Sequence, residues 1–205
     1  MESMQAQDAT VDAVFALSGS ALLRDHAWPL QQALIAIWPW LLSDVGAGVH
    51  PLKLVPGVGR EALLSGRTRL IVRAQAHRYE ALAGAVGSQV DVEGHTLQLG
   101  STHQRVLQPH ATLYAYRVAS TCTDESEFME VVQAELADLG IAGERVCGKR
   151  QSLQMDDREV TTFSMMLHGL VPEQSLRLQQ RGLGPHRLLG CGLFVPHKSA
   201  AAVGV

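Results

Sequence analysis

The 205 residues are 46% hydrophobic and 18% charged with mean hydropathy +0.06, enough apolar material for one packed core or for two small cores in tandem. A formal net charge of −3 excludes both a uniformly basic nucleic-acid coat and an acidic disordered tail. Cys122, Cys147 and Cys191 form no CxxC pair and are odd in number, which speaks against a structural zinc site and a secreted disulfide framework and for a reducing cytoplasm. The start of the chain is polar and acidic, and the greasiest stretch, Ala27 to Leu42, is broken by Gln31, Gln32 and two prolines, so no membrane segment is expected.

In chain order, Thr10 to Leu17 alternates Val11, Ala13, Phe15 and Leu17 with smaller or polar neighbours and predicts a strand, stopped by Ser18-Gly19-Ser20. Leu30, Leu34, Ile37 and Leu41 recur at helical spacing, with Pro29 tolerated in the first turn and Pro39 ending or kinking the helix. His50 to Val55 and Thr68 to Val72 are expected as strands on either side of the turn Pro56-Gly57-Val58-Gly59. Tyr79 to Val86 suits a helix, and Val90 to Leu99 a strand bent at Gly94.

The second half repeats this βαββαβ order. Thr112 to Val118 reads as a strand, Glu125 to Leu139 as a helix, Arg145 to Gln154 and Glu159 to Leu167 as a hairpin, Pro172 to Arg181 as a helix and Leu189 to Val195 as a last strand. In the first of these helices Phe128, Val131, Val132, Leu136 and Leu139 form one face, Ser126 stands near the start and Gly140 follows the end. The expected fold class is α+β, two tandem ferredoxin-like (RRM-like) domains at 1–102 and 103–205, the second carrying a C-terminal glycine-rich loop. Fold alone selects no function.

Charge is distributed unevenly. Residues 118–140 hold six acidic side chains and no basic one, whereas 60–117 and 141–205 each carry a net +3. Period-2 alternation puts Arg67, Arg69 and Arg73 on one face of the Thr68 strand and Thr68, Leu70 and Val72 on the other, a candidate phosphate-binding surface or a solvated strand face. Lys149 and Arg150 on the predicted hairpin are a second basic pair. Between the last helix and last strand lie Gly182, Gly184, His186, Arg187, Gly190 and Gly192, then Pro196, His197 and Lys198. Glycines let backbone approach a ligand closely, and N–H groups beside Arg187 suit phosphate oxygens, although the same spacing also describes a helix stop and tight turn. The order helix-glycines-strand is the reverse of a dinucleotide fingerprint, and no HExxH, Walker loop or G-x-S-x-G elbow occurs. No metal and no cofactor are expected.

The G-x-G-x5-G-x-G-L-F arrangement from Gly182 to Phe194 resembles the C-terminal glycine-rich loop of the CRISPR-associated Cas-six endoribonucleases. Asp25-His26 followed by an aromatic, the Pro56 turn, Ser164 to His168 and Pro196-His197-Lys198 extend the resemblance over nearly the whole chain, as a subtype variant. What the resemblance implies is metal-free cutting of the repeat in a CRISPR precursor transcript, by attack of a 2′-hydroxyl that leaves a 2′,3′-cyclic phosphate and a 5′-hydroxyl, with the mature guide RNA retained. It also implies repeat RNA, and other subunits of an effector complex, as partners. Histidine trades protons near neutrality, and His26 is the candidate catalytic base because the family carries a histidine between its first strand and first helix; a helix N-terminus favours the neutral ring while Asp25 opposes it. Gly182, Gly184, His186, Arg187, Gly190, Gly192, Lys198, Arg67, Arg69, Arg73, Lys149 and Arg150 are the candidate RNA-binding residues. A non-catalytic guide-RNA-binding subunit is the rival reading, and a ferredoxin-like enzyme or sensor unrelated to RNA a third, favoured by the acidic net charge and the absence of an aromatic RNA-recognition signature.

Overall fold

The computed structural model describes residues 9–197, in which the chain divides into two compact units, Met1–Val106 and Leu107–Val205. The division falls four residues beyond the expected 102/103 because the strand there continues to Val106 and pairs it with Val11.

In the first unit, β1 (Thr10–Ser18) is the centre of a five-stranded antiparallel sheet with β3 (Gly48–Val49), β6 (Arg69–Gln75), β7 (Gln89–Val92) and β8 (His95–Val106), in the order β3-β6-β1-β8-β7. Val11, Ala13, Phe15 and Leu17 of β1 are all buried, as their alternation predicts. Helix α1 (Ala27–Ile37) buries Leu30 and Leu34 and stops one residue before Trp38, since the residue preceding Pro39 is sterically barred from helix. Trp38 then turns its ring to Phe15, with centroids 5.8 Å apart. A short helix α2 (Tyr79–Ala83) follows β6 through one 3-10 turn. A separate small sheet, β2-β5-β4, joins Ala21–Leu23, Glu61–Leu63 and Val55–Pro56, so the expected strand 50–55 is only its last residue, extended to Pro56. The expected strand 90–99 is a hairpin: Glu93 and Gly94 both take positive φ (49° and 81°), which reverses the chain in a tight two-residue turn where a bend at Gly94 was expected.

In the second unit, β9 (Leu113–Ser120), α3 (Glu125–Asp138), β10 (Glu144–Met155), β11 (Arg158–His168), α4 (Pro172–Arg181) and β12 (Val195–Pro196) follow in βαββαβ order, with sheet order β10-β11-β9-β12 and antiparallel pairing throughout. Asp124, in place of the Ser126 singled out in the sequence, caps α3 by accepting hydrogen bonds from the N–H groups of Ser126 (2.8 Å) and Glu127 (3.1 Å). Gly140, at φ +62°, ends the helix: its N–H donates to Ala137 O and that of Ile141 to Leu136 O, a paired closure that only the left-handed conformation permits. Phe128, Val132 and Leu136 point into the core and Phe128 stacks on Phe163 at 4.4 Å, whereas Val131 lies outside at 46% exposure. The expected last strand 189–195 shrinks to Val195–Pro196, because Gly190 and Gly192 at φ +84° and +66° break the extended conformation. The result is a mixed α/β fold with antiparallel sheets.

Candidate functional site

His26 occupies the residue before α1, and its carbonyl accepts the first helical hydrogen bond, from Leu30 N–H. Its side chain does not cap the helix; Nδ1 lies 2.9 Å from the carbonyl oxygen of Leu23, at the end of β2. A carbonyl only accepts, so in the neutral ring the proton sits on Nδ1 and the lone pair on Nε2. The ring is half-buried, its neighbour Asp25 is exposed, and α1 presents its N-terminus there. Arg24 ties this segment to the small sheet, donating through Nε to Glu61 O (3.3 Å) and through a terminal nitrogen to Gly57 O (3.1 Å). The Pro56 turn is thus the seat of Arg24, two residues from His26, a connection the sequence pattern did not reveal.

The three arginines of the β6 segment do not form one comb. Arg67 is exposed in the turn before the strand, and Arg69 is exposed but folds back to donate to Gly66 O and Thr68 O at 2.9 and 2.8 Å. Arg73 is 1% exposed: it stands directly opposite Asp12 on β1 and donates to both carboxylate oxygens at 2.8 and 3.2 Å. Asp12 also receives Arg105, its partner residue on the other side in β8, at 2.9 Å, and His50 Nε2 lies 3.5 Å away, close enough for electrostatic attraction but long for a hydrogen bond. Burial alone would raise the Asp12 carboxyl, but His50 and Arg73 together hold it well below the usual carboxylate range. Burial, aided by the two arginines and opposed by Asp12, pushes the His50 ring down, so it is neutral at pH 7. Arg73 therefore neutralises a buried acid and offers no face to a ligand. Alternation correctly paired Arg73 with Arg69, but Asp12, which decides its burial, lies 61 residues away.

In the second unit the glycine-rich segment is closed upon itself. A side chain at Gly192 would strike Leu183 O, and one at Gly182 would strike Gly192 O and the Arg187 guanidinium, so here the close approach of backbone is to backbone. Gly192 N–H donates to Arg117 O at 2.7 Å, and Gly184 N–H to the carboxylate of Glu135 on α3 at 2.8 Å, so that the anion already at Gly184 is the protein's own. The Arg187 guanidinium donates to Arg181 O (2.7 Å) and Gln180 O (3.0 Å), satisfying the last carbonyls of α4. His186, half-buried, adopts a left-handed conformation at φ +67° and ψ +38°; burial, then the charge of Arg158, lowers its pKa. Gly190 ends the 3-10 turn Arg187–Leu189. Lys149 and Arg150 are exposed on β10, and Arg150 reaches Thr123 O at 3.3 Å. Lys198 lies outside the described residues.

Among the described residues no group of three or more His, Cys, Asp or Glu side chains is placed to hold a metal ion, and no helix is long and apolar enough to cross a membrane.

The fold is that of a class of CRISPR-associated proteins. A solved structure described as a CRISPR-associated protein Cas6 matches with TM-score 0.68 at 10% identity, over 92% of this chain and all of that one. A Cas6-related protein from Pyrococcus furiosus matches at 0.60 and 12%, over 91% and 98%, and Thermus thermophilus Cse3 bound to an RNA representing a pre-cleavage complex at 0.52 and 16%, over 91% and 98%. A CRISPR-associated endonuclease Cas6 of Myxococcus xanthus (strain DK1622) is 33% identical over 194 residues, covering 94% of this chain and 84% of its own length. The family model described as Cas6 Crispr matches residues 11–199, and the chain belongs to the Cas6 family.

Proposed function

We propose that this chain is a CRISPR repeat-specific endoribonuclease that cuts the precursor transcript without a metal ion, built on two tandem ferredoxin-like domains and acting in the cytoplasm. The observation that carries the mechanism is the Leu23 carbonyl on His26 Nδ1, which sets the tautomer whose Nε2 accepts a proton. Nε2 takes the proton of the 2′-hydroxyl, O2′ forms a bond to the adjacent phosphorus, the bond from phosphorus to the 5′-oxygen breaks, and the departing 5′-oxygen takes up a proton from water. The products are a 2′,3′-cyclic phosphate and a 5′-hydroxyl end. Exposed Arg67, Arg69, Lys149 and Arg150 supply phosphate contacts, and the glycine-rich segment with His186 supports the RNA by its fixed shape. The mature guide RNA stays bound, and effector subunits are further partners.

The test is cleavage of the cognate repeat RNA in excess EDTA, beside a substrate with one 2′-deoxy at the scissile nucleotide. Cutting of the first at one position and none of the second, with equal binding, is expected. Cutting of the deoxy substrate or strict dependence on added magnesium overturns the mechanism.

A further inference from the structure

The second unit has two chemically opposite faces. Its acidic side chains are concentrated on α3, where Glu125, Glu127, Glu130 and Asp138 are exposed; that helix covers the face of β9 to which Leu113 and Ala115 point. By strand alternation Tyr114 and Tyr116 stand on the other face of β9, away from this acid. There they form a row of rings. Tyr116 is 47% exposed and meets Tyr114 edge-on, with centroids 5.0 Å apart and planes at 84°; on the far side His197, exposed just past β12, lies 5.4 Å from Tyr114. Val195 pairs directly with Tyr114, which places His197 two residues on, on the same face. On this sheet Gln151 Nε2 donates to the Tyr116 carbonyl at 3.3 Å, and Arg117 follows Tyr116 on the strand.

A large aromatic side chain half in water leaves apolar area unburied, and an edge-to-face neighbour fixes its orientation in advance. The π-face of a tyrosine is matched by the π-face of any nucleobase, whereas a phosphodiester is held by cations. We infer that Tyr116 and His197, held by Tyr114 between them, are a stacking platform for unpaired bases of single-stranded RNA. This rests on the nuclease reading and deepens it: the platform binds bases by stacking, tolerates their identity and carries no proton.

The test measures fluorescence anisotropy of the full chain with a labelled eight-nucleotide oligoadenylate and with an abasic ribose-phosphate strand of equal length. Tyr116→Ala is expected to weaken oligoadenylate binding about ten-fold and leave the abasic strand unaffected, because stacking on one aromatic side chain is worth roughly that much. Tyr116→Phe should bind as wild type, since the ring and not the hydroxyl carries the contact, and His197→Ala should lose less than Tyr116→Ala. The ring of Tyr116 is half in water, so its loss opens no core cavity, and circular dichroism of each variant checks the fold. Equal affinity of Tyr116→Ala and wild type for oligoadenylate, or a wild type that prefers the abasic strand, overturns the platform and leaves the ring row to a protein contact. Cleavage of repeat RNA by the wild-type chain, measured in parallel, fails only if the nuclease reading fails.

Discussion

Replacing Asp12 by asparagine removes the charge around which Arg73, Arg105 and His50 are arranged, while keeping the side chain's shape. Arg73 is 1% exposed and would lose the carboxylate charge it meets in the sheet; breaking one side of a buried pair costs about 3–5 kcal/mol. Arg105, half exposed, adds little, since pairs in water contribute about 0–1 kcal/mol. Against a domain stability of about 5–15 kcal/mol this is a large fraction. All three tryptophans, Trp28, Trp38 and Trp40, belong to the first unit, so tryptophan fluorescence in urea reports that unit alone. With a slope of about 2 kcal/mol per molar urea, a loss of about 4 kcal/mol moves the midpoint down by about 2 M. Asp25→Asn, at an exposed carboxylate, is the control and should leave the midpoint unchanged. A shift below about 0.3 M for Asp12→Asn would refute the reasoning, because Arg73 would then not depend on the Asp12 charge.

The same cluster gives the pH dependence. His50 is depressed in the folded chain and ordinary, near 6.5, in the unfolded one, so the unfolded state binds the extra proton and stability falls as pH drops below about 6.5; Asp12, held low, adds a further loss below about pH 4. Urea midpoints from pH 7.5 to 5 should decline for wild type and flatten for His50→Gln, and an unchanged slope in the variant would exclude His50 as the cause. Arg187→Ala should lower the thermal midpoint of the second unit by several degrees, as expected for about 1–2 kcal/mol of lost carbonyl capping, with a smaller effect on the salt dependence of RNA binding than one lost phosphate contact would give. Gly192→Ala should be more damaging than Arg187→Ala, because its Cβ meets Leu183 O; comparable melting of the two proteins, read by circular dichroism, would contradict the self-closed loop.

Much of this fold was readable from periodicity, where a local pattern matched a local structure. Thr10 to Leu17, Pro172 to Arg181 and the hairpin before it appear close to the positions their alternation and helical spacing gave. What escaped depended on conformation or on distant partners. Glu93-Gly94 looked like a bend because only the φ values distinguish a bent strand from a two-residue hairpin turn, and Leu189 to Val195 looked extended because Gly190 and Gly192 gave no sign of their hand. The Arg67-Arg69-Arg73 comb failed for a similar reason, since Asp12 and Arg73 meet only across the sheet. His26 was placed at the head of α1 by resemblance, yet the Leu23 carbonyl that sets its tautomer was legible only in space. The ring row of Tyr114, Tyr116 and His197 brings together residues 81 positions apart, from Tyr116 to His197, and matches no short motif.

The central claim is that His26 Nε2 removes the proton of the attacking 2′-hydroxyl. Single-turnover cleavage of cognate repeat RNA in EDTA by wild type and His26→Ala, with the affinity of each for uncleaved RNA measured alongside, tests it most directly. A rate loss of about 10²–10⁴-fold at nearly unchanged affinity is the predicted result. A His26→Ala protein that cuts at close to the wild-type rate would contradict it.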